Sequence, residues 1–350
     1  MGALRVGTSS WADRSLLASG WYPRSVNTPA GRLAYYAERF GLVEVDTTYY
    51  ALPAVETVEA WADRTPTGFT FNVKAFSLFT GHPTEVTALP RDLRPEGRET
   101  GRVRRRDLPA RTYERLWERF RSVVAPLDAA GKLGVLLFQF PPWLAHGEPA
   151  KRRIRELAER CRPLRVAVEF RNASWYEPTT APDTFGFLAG HDISIVSVDM
   201  PQGYASSVPP VLLGTAEPAV IRFHGHSPAW ETGDKQEKFR YAYTDDELAD
   251  WAGRLRDFAA EHTELHVLLN NCCGGQAQSD ATRLVELLGP AVDWPGTSGV
   301  DVPRPRSAGP GRQRTGSRPQ PGATAGQPRS AGSVLAPQSR TATRSPRAGR

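Results

Sequence analysis

Apolar runs in this 350-residue chain repeatedly end in polar pairs spaced two apart: Glu44 and Asp46, Asn72 and Lys74, Glu169 and Arg171, Ser197 and Asp199, Arg222 and His224. Thr8 and Ser9, Gln139, and Asn270 and Asn271 close three more. On a strand, a spacing of two puts both side chains on one face. Glu44 and Glu169 could serve as acid and base, or as nucleophile, in glycoside-type chemistry. His224 could act as a general base. A desolvated Lys74 could form a Schiff base, or could hold an anion. Arg171 and Arg222 offer planar forks for a carboxylate or phosphate. The candidate catalytic residues are therefore Glu44, Lys74, Glu169 and His224. The candidate substrate-binding residues are Thr8, Trp11, Asp46, Gln139, Arg171, Trp175, Asp199, Arg222, Asn270 and Asn271. Trp11, Trp143 and Trp175 each follow a strand end and could wall a pocket for a sugar or base. The competing reading is a closed ion network in which Arg171 and Arg222 neutralise Glu44 and Glu169. Glu44, Glu169, Asp199 and His224 lack the local spacing of a metal site, so no metal is expected, and the cofactor is left open.

The elements that would position these groups alternate. Strands are expected at 4–9, 42–50, 69–75, 133–142, 165–170, 193–199, 219–225 and 265–272. Helices are expected between most of them, at 30–40, 57–64, 111–127, 151–161, 185–189 and 245–262, with a last one at 281–288. Eight such strands in about 285 residues match a closed parallel barrel in size and count. No glycine-rich phosphate loop follows the first strand, which disfavours an open doubly wound sheet. Residues 76–110 read as a long loop; the stretch from Arg91 to Arg111 carries eight arginines against four acids. Its length and composition predict a disordered or solvated insertion, or else a functional lid.

Charge is unevenly placed. Residues 301–350 hold ten arginines against Asp301, a net +9, so the first 300 residues carry −3 of the overall +6. The basic balance belongs to the tail, which contains no Phe, Trp or Tyr and is expected to be disordered. That weakens any reading of the folded part as a nucleic-acid binder; nucleic acid is a possible partner through the tail only. Three cysteines, two of them adjacent, give no disulfide framework. With no signal peptide and no long apolar run, a reduced, cytoplasmic protein without membrane contact is expected.

The motifs GTSSW (7–11), VEVDTTYY (43–50), FTFNVKA (69–75), LFQFPP (137–142), VEFRNASW (168–175), RFHG (222–225), YAYTDDEL (241–248) and LNN (269–271) resemble, in order, the signatures of the YecE-like family, the domain of unknown function 72. The resemblance covers about residues 4–288 and implies a TIM barrel. It implies little about activity, because the family's biochemical function is not established. Glu44, Lys74, Gln139, Glu169, Arg171, Arg222, His224, Asn270 and Asn271 fall on the family's motif positions. The chain departs at EVDTTYY, where relatives read close to EINSTFY, and at CCGGQAQSDA after the paired asparagines. The expectation is an α/β protein: a single (β/α)8 TIM barrel over residues 1–290 and a basic tail over 291–350. Its first functional reading is an enzyme working by acid–base chemistry on a small polar substrate, anionic or sugar-like, at the C-terminal mouth. The alternatives are a nucleic-acid-associated protein and a non-catalytic ligand-binding barrel.

Overall fold

The computed structural model describes residues 3–293. Its strands are β1 (Ala3–Thr8), β2 (Leu42–Val45), β3 (Thr70–Lys74), β4 (Thr84–Glu85), β5 (Arg102–Val103), β6 (Leu133–Gln139), β7 (Val166–Glu169), β8 (Ile193–Asp199), β9 (Ala219–Phe223) and β10 (Glu264–Leu269). Eight of them close a parallel barrel in the order β1-β10-β9-β8-β7-β6-β3-β2. The flanking helices are α1 (Arg14–Ala18), α2 (Pro29–Ala37), α3 (Val55–Asp63), α4 (Ala110–Ala129), α5 (Glu148–Cys161), α6 (Ala181–Ala189), α7 (Lys235–Lys238), α8 (Asp245–Ala259) and α9 (Gln276–Leu288). The β8–β9 connection, residues 200–218, contains no helix. No helix among the described residues is long and apolar enough to cross a membrane. The tail beyond residue 293 lies outside the described residues. Just before it, Val292 bridges Leu4 and the Asp293 amide donates to the Leu4 carbonyl.

Alternation along each strand divides the apolar residues into two layers. Leu42, Val135, Leu137, Ala167, Val196, Val198, Val220 and Leu268 fill the barrel interior. Val43, Val45, Phe71, Ile195, Ile221, Phe223 and Leu269 face the helices. Such strands are apolar on both faces, as a covered parallel sheet requires. Thr244 caps α8 and Glu247 answers it, so the TDDEL segment starts a helix as its sequence predicts.

Residues 76–110 are not a structureless insertion. Short 3-10 turns and the antiparallel β4–β5 pair organise them. Leu78, Phe79, Val86, Leu89, Leu93, Val103 and Leu108 are buried there, and Phe79 stacks on Trp117 of α4 with ring centroids 3.9 Å apart. Arginines help to order it: its own Arg94 donates to the Leu89 and Thr87 carbonyls, and Arg115 and Arg119 of α4 hold its Asp92. Single apolar residues scattered among charges carry no periodicity, which is why composition alone misjudges the segment.

Near the N-terminal ends of the strands, Asn72 on β3 accepts from the Val135 amide and lies 3.0 Å from His266 Nδ1. Gly134 makes room for this contact: a Cβ there would sit 2.2 Å from Asn72 Oδ1. Gly134→Ala is therefore expected to destabilise the barrel by about 1–3 kcal/mol, read as a lower urea midpoint. Combining it with Asn72→Ala should lose less than the sum of the single losses, because the two changes share one clash.

Candidate functional site at the barrel mouth

The strand ends converge on one buried cation. Arg222, one step past Ile221 on β9, points inward with Val220. Its Nη2 donates to Glu44 Oε1 at 2.5 Å and its Nη1 donates to Glu169 Oε2. Arg171 Nε donates to the other Glu169 oxygen at 2.5 Å, and Arg171 Nη2 donates to His224 Nε2 at 2.9 Å. The Asn270 amide group lies 2.9 Å from His224 Nδ1. Glu44, Glu169, Arg222 and His224 are all 0% exposed. Lys74 Nζ donates to Asp46 Oδ1 at 2.7 Å. Gln139 shares the inward parity of Val135 and Leu137 and sits opposite Glu169 in the β6–β7 register.

Burial acts on the two glutamates alike, but their neighbours do not. It pushes both carboxyls up; on Glu169 the charges of Arg171 and Arg222 outweigh it and hold the group well below the usual range. On Glu44 burial prevails over Arg222, with Asp46 adding to it, so its pKa is raised. Glu44 Oε2 is also a buried oxygen without a hydrogen-bond partner. Burial and the adjacent Arg171 guanidinium bring His224 down to about 3, so the imidazole is neutral. Its Nε2 lone pair faces a group that can only donate.

Four candidates face elsewhere. Thr8 lies in the layer between strands and helices: its amide donates to the Tyr36 hydroxyl of α2, and Gln278 of α9 donates to its Oγ1. Asp199 shares the outward parity of Ile193 and Ile195; Tyr243 donates to its Oδ2 at 2.5 Å, and His226 Nε2 lies 3.0 Å from its Oδ1. Asn271 donates to Asp280 Oδ2 at 2.6 Å and to the Tyr241 carbonyl. Trp175 is fully buried on Phe170, and its indole N–H donates to the Leu144 carbonyl. A strand's sequence shows that two residues share a face; it does not show whether that face looks into the barrel or out to the helices.

Trp11 lines a cavity of about 510 Å³ together with Trp61, Glu44, Asp46, Glu56 and Arg64, its ring edge-on to Trp61 at 5.3 Å. Besides Trp143, which the sequence singles out, aromatics around the mouth that the sequence does not mark are Tyr49, Trp230 and Phe239. Tyr49 lies under Lys74 Nζ at 4.8 Å and beside His82, which in turn meets Trp143, 59% exposed. Trp230 sits 5.3 Å from the Arg171 guanidinium, and Phe239 packs on Trp230 and His224. Trp230 and Phe239 lie in the 226–240 connection, where the one available signal is an aromatic ring in a polar loop just past a strand end. Among the described residues, no group of three or more His, Cys, Asp or Glu is placed to hold a metal ion.

A family model described as "Protein of unknown function DUF72" matches residues 5–305. The UPF0759 protein YunF of Bacillus subtilis (strain 168) is 29% identical over 290 residues, which cover 81% of this chain and 94% of that protein. Among solved structures, the DUF72 family protein TM1631 of Thermotoga maritima MSB8 aligns with a TM-score of 0.65 at 27% identity, over 82% of this chain and 99% of that one. The DUF72 family protein EF0366 of Enterococcus faecalis V583 aligns with a TM-score of 0.66 at 26% identity, over 81% and 95%. The buried Glu44–Arg222–Glu169 mouth is thus carried by a chain that belongs to the DUF72 family.

Proposed function

We propose that this protein is an enzyme acting on a small polar substrate, anionic or sugar-like, at the C-terminal mouth of the barrel. The observation that carries the reading is Glu44: a buried carboxyl with a raised pKa and one oxygen left without a partner, in a network whose other carboxylate is fully engaged. A carboxyl in that state, with burial favouring its protonated form and one oxygen free, is suited to give and take a proton. Glu169 is held ionised by two guanidiniums and serves to fix Arg171 and Arg222. Arg171 and Lys74 supply the positive charge for an anionic group, and the aromatic rings of Tyr49, Trp143 and Trp230 supply faces for an apolar or sugar surface. His224 positions Arg171 and does not itself transfer a proton.

A thermal-shift panel of phosphate, sugar phosphates, free sugars and carboxylic acids tests this directly. The expected outcome is a class that stabilises both wild type and Glu44→Gln, and whose conversion, followed by NMR of the ligand, stops in Glu44→Gln. If no class binds, or if conversion survives Glu44→Gln, the reading fails.

The two glutamates should separate in stability. Glu169→Gln leaves two buried guanidiniums without their shared carboxylate and is expected to cost about 3–5 kcal/mol. Glu44→Gln should cost distinctly less, because Arg222 keeps Glu169; urea denaturation of both variants is the check.

His224 gives a pH signature. Its folded pKa, about 3, lies below the ordinary value of 6.5, so the unfolded chain takes up the proton first. Its contribution to stability is complete above about pH 6.5 and is lost as pH falls towards 3, at about 1.4 kcal/mol per pH unit. His82, lowered to about 4, acts in the same direction, while Asp280, pushed up to about 6, opposes it below that pH. The difference between wild type and His224→Asn, measured by urea midpoints at pH 7, 6 and 5, isolates the His224 part. A pH-independent difference would mean that folding does not lower the His224 pKa.

A further inference from the structure

The arginine-rich segment that the barrel mouth does not use builds a second cavity. It has a volume of about 450 Å³ and lies between the 104–106 turn, Gly81 and the face of α5 that carries Arg153 and Arg160. Five arginines line it against one carboxylate, Glu156. They are not equivalent. Arg160 is neutralised by a two-pronged pair with Glu114 at 2.6 and 2.8 Å. Arg105 lies over the Tyr113 ring, its guanidinium 4.0 Å from the centroid.

Arg153 is the unusual one. Its side chain is half-buried, and its guanidinium donates to the Phe79 carbonyl at 3.0 Å. Among the described residues it has no carboxylate within ion-pair distance, unlike Arg160 in the same wall. The backbone is shaped around it: Gly81 adopts φ +86°, and a Cβ there would lie 2.7 Å from both terminal nitrogens. A half-buried guanidinium with several unused donors, facing a cavity ringed by further arginines, is set up for an anion that accepts many hydrogen bonds at once.

We propose that this cavity binds the phosphate or polyphosphate group of a small molecule, at a site separate from the barrel mouth. Phosphate fits better than a single carboxylate because its oxygens spread over several directions, and Arg104, Arg105 and Arg153 approach the cavity from two elements. The volume suits a small ligand and not an extended chain. Gly81 is followed by His82, which packs on Tyr49 and Trp143 at the mouth, so a bound anion would lie one residue from the rim.

The test is isothermal titration of the full chain with inorganic pyrophosphate and, in parallel, with ADP, at a fixed salt concentration. The basic tail is present in every variant and contributes equally. The expected result is that Arg153→Met weakens pyrophosphate by about tenfold or more, the loss of charge-assisted hydrogen bonds to one guanidinium. Arg104→Ala/Arg105→Ala, on the surface turn, should weaken it as well and guards against a folding defect in Arg153→Met. Arg91→Ala, exposed and outside the cavity, should leave it unchanged. ADP binding with the same dependence on Arg153 identifies a nucleotide as ligand; pyrophosphate binding without ADP binding identifies a smaller phosphate. Equal affinity in all variants, or no binding by wild type, overturns the proposal. Glu44→Gln run alongside separates this site from the mouth, since an anion held here does not need Glu44.

Discussion

The mouth of this barrel depends on one guanidinium kept out of water. Arg222 sits on β9 and reaches Glu169 on β7 in one direction and Glu44 on β2 in the other, with a strand between in the first case and two in the second. Desolvating such a charge costs several kcal/mol, and attraction to partners offsets this only when geometry is good and the partners stay ionised. Glu169 meets that condition because Arg171 also holds it. The strands can therefore differ in everything else at this end, but the inward position after each apolar run must keep the charge that completes the network. Branched apolar residues fill the barrel below it at lower energetic risk.

How much of this was legible in the sequence follows from what a strand encodes. The eight strands and most helices announce themselves by period, and Glu169 and Arg171, two apart after VAV, mark a charged inward face correctly. Glu44, Lys74, Arg222, His224 and Asn270 converge as expected, since their strands carry apolar residues of the same parity into the interior. Thr8, Asp199 and Asn271 have the same local appearance and the opposite parity. In a parallel strand covered on both faces, neither side is polar, so alternation cannot tell inside from outside. Only the closed register decides, and it depends on residues far away in sequence.

The segment at 76–110 was misjudged for a different reason. Its stability comes from Phe79 on Trp117 and from Val103 and Leu108 beneath the turns, contacts between single residues and a helix yet to come in the chain. Local composition registers the arginines and cannot register where the few apolar side chains land. Arg94, Arg98 and Arg102 of the segment bond to its own carbonyls and to Glu85, and Asp92 is held from α4 by Arg115 and Arg119, which makes the segment an ordered wall of the barrel top.

The difference between the two glutamates has a consequence for the class of substrate. With both carboxyls ionised, Glu44, Glu169, Arg171 and Arg222 balance, and the Lys74–Asp46 pair balances separately. With a proton on Glu44, the same group carries one net positive charge. An anion entering the mouth is therefore favoured when Glu44 is protonated, and by linkage the anion in turn raises the proton affinity of Glu44. Under the proposed reading, a bound anion and a proton on Glu44 would favour one another, the state that a general acid requires. A neutral sugar would gain nothing from this coupling, so within the proposed reading the electrostatics of the floor argue for an anionic ligand over a neutral one, with the aromatic rim available to an apolar face.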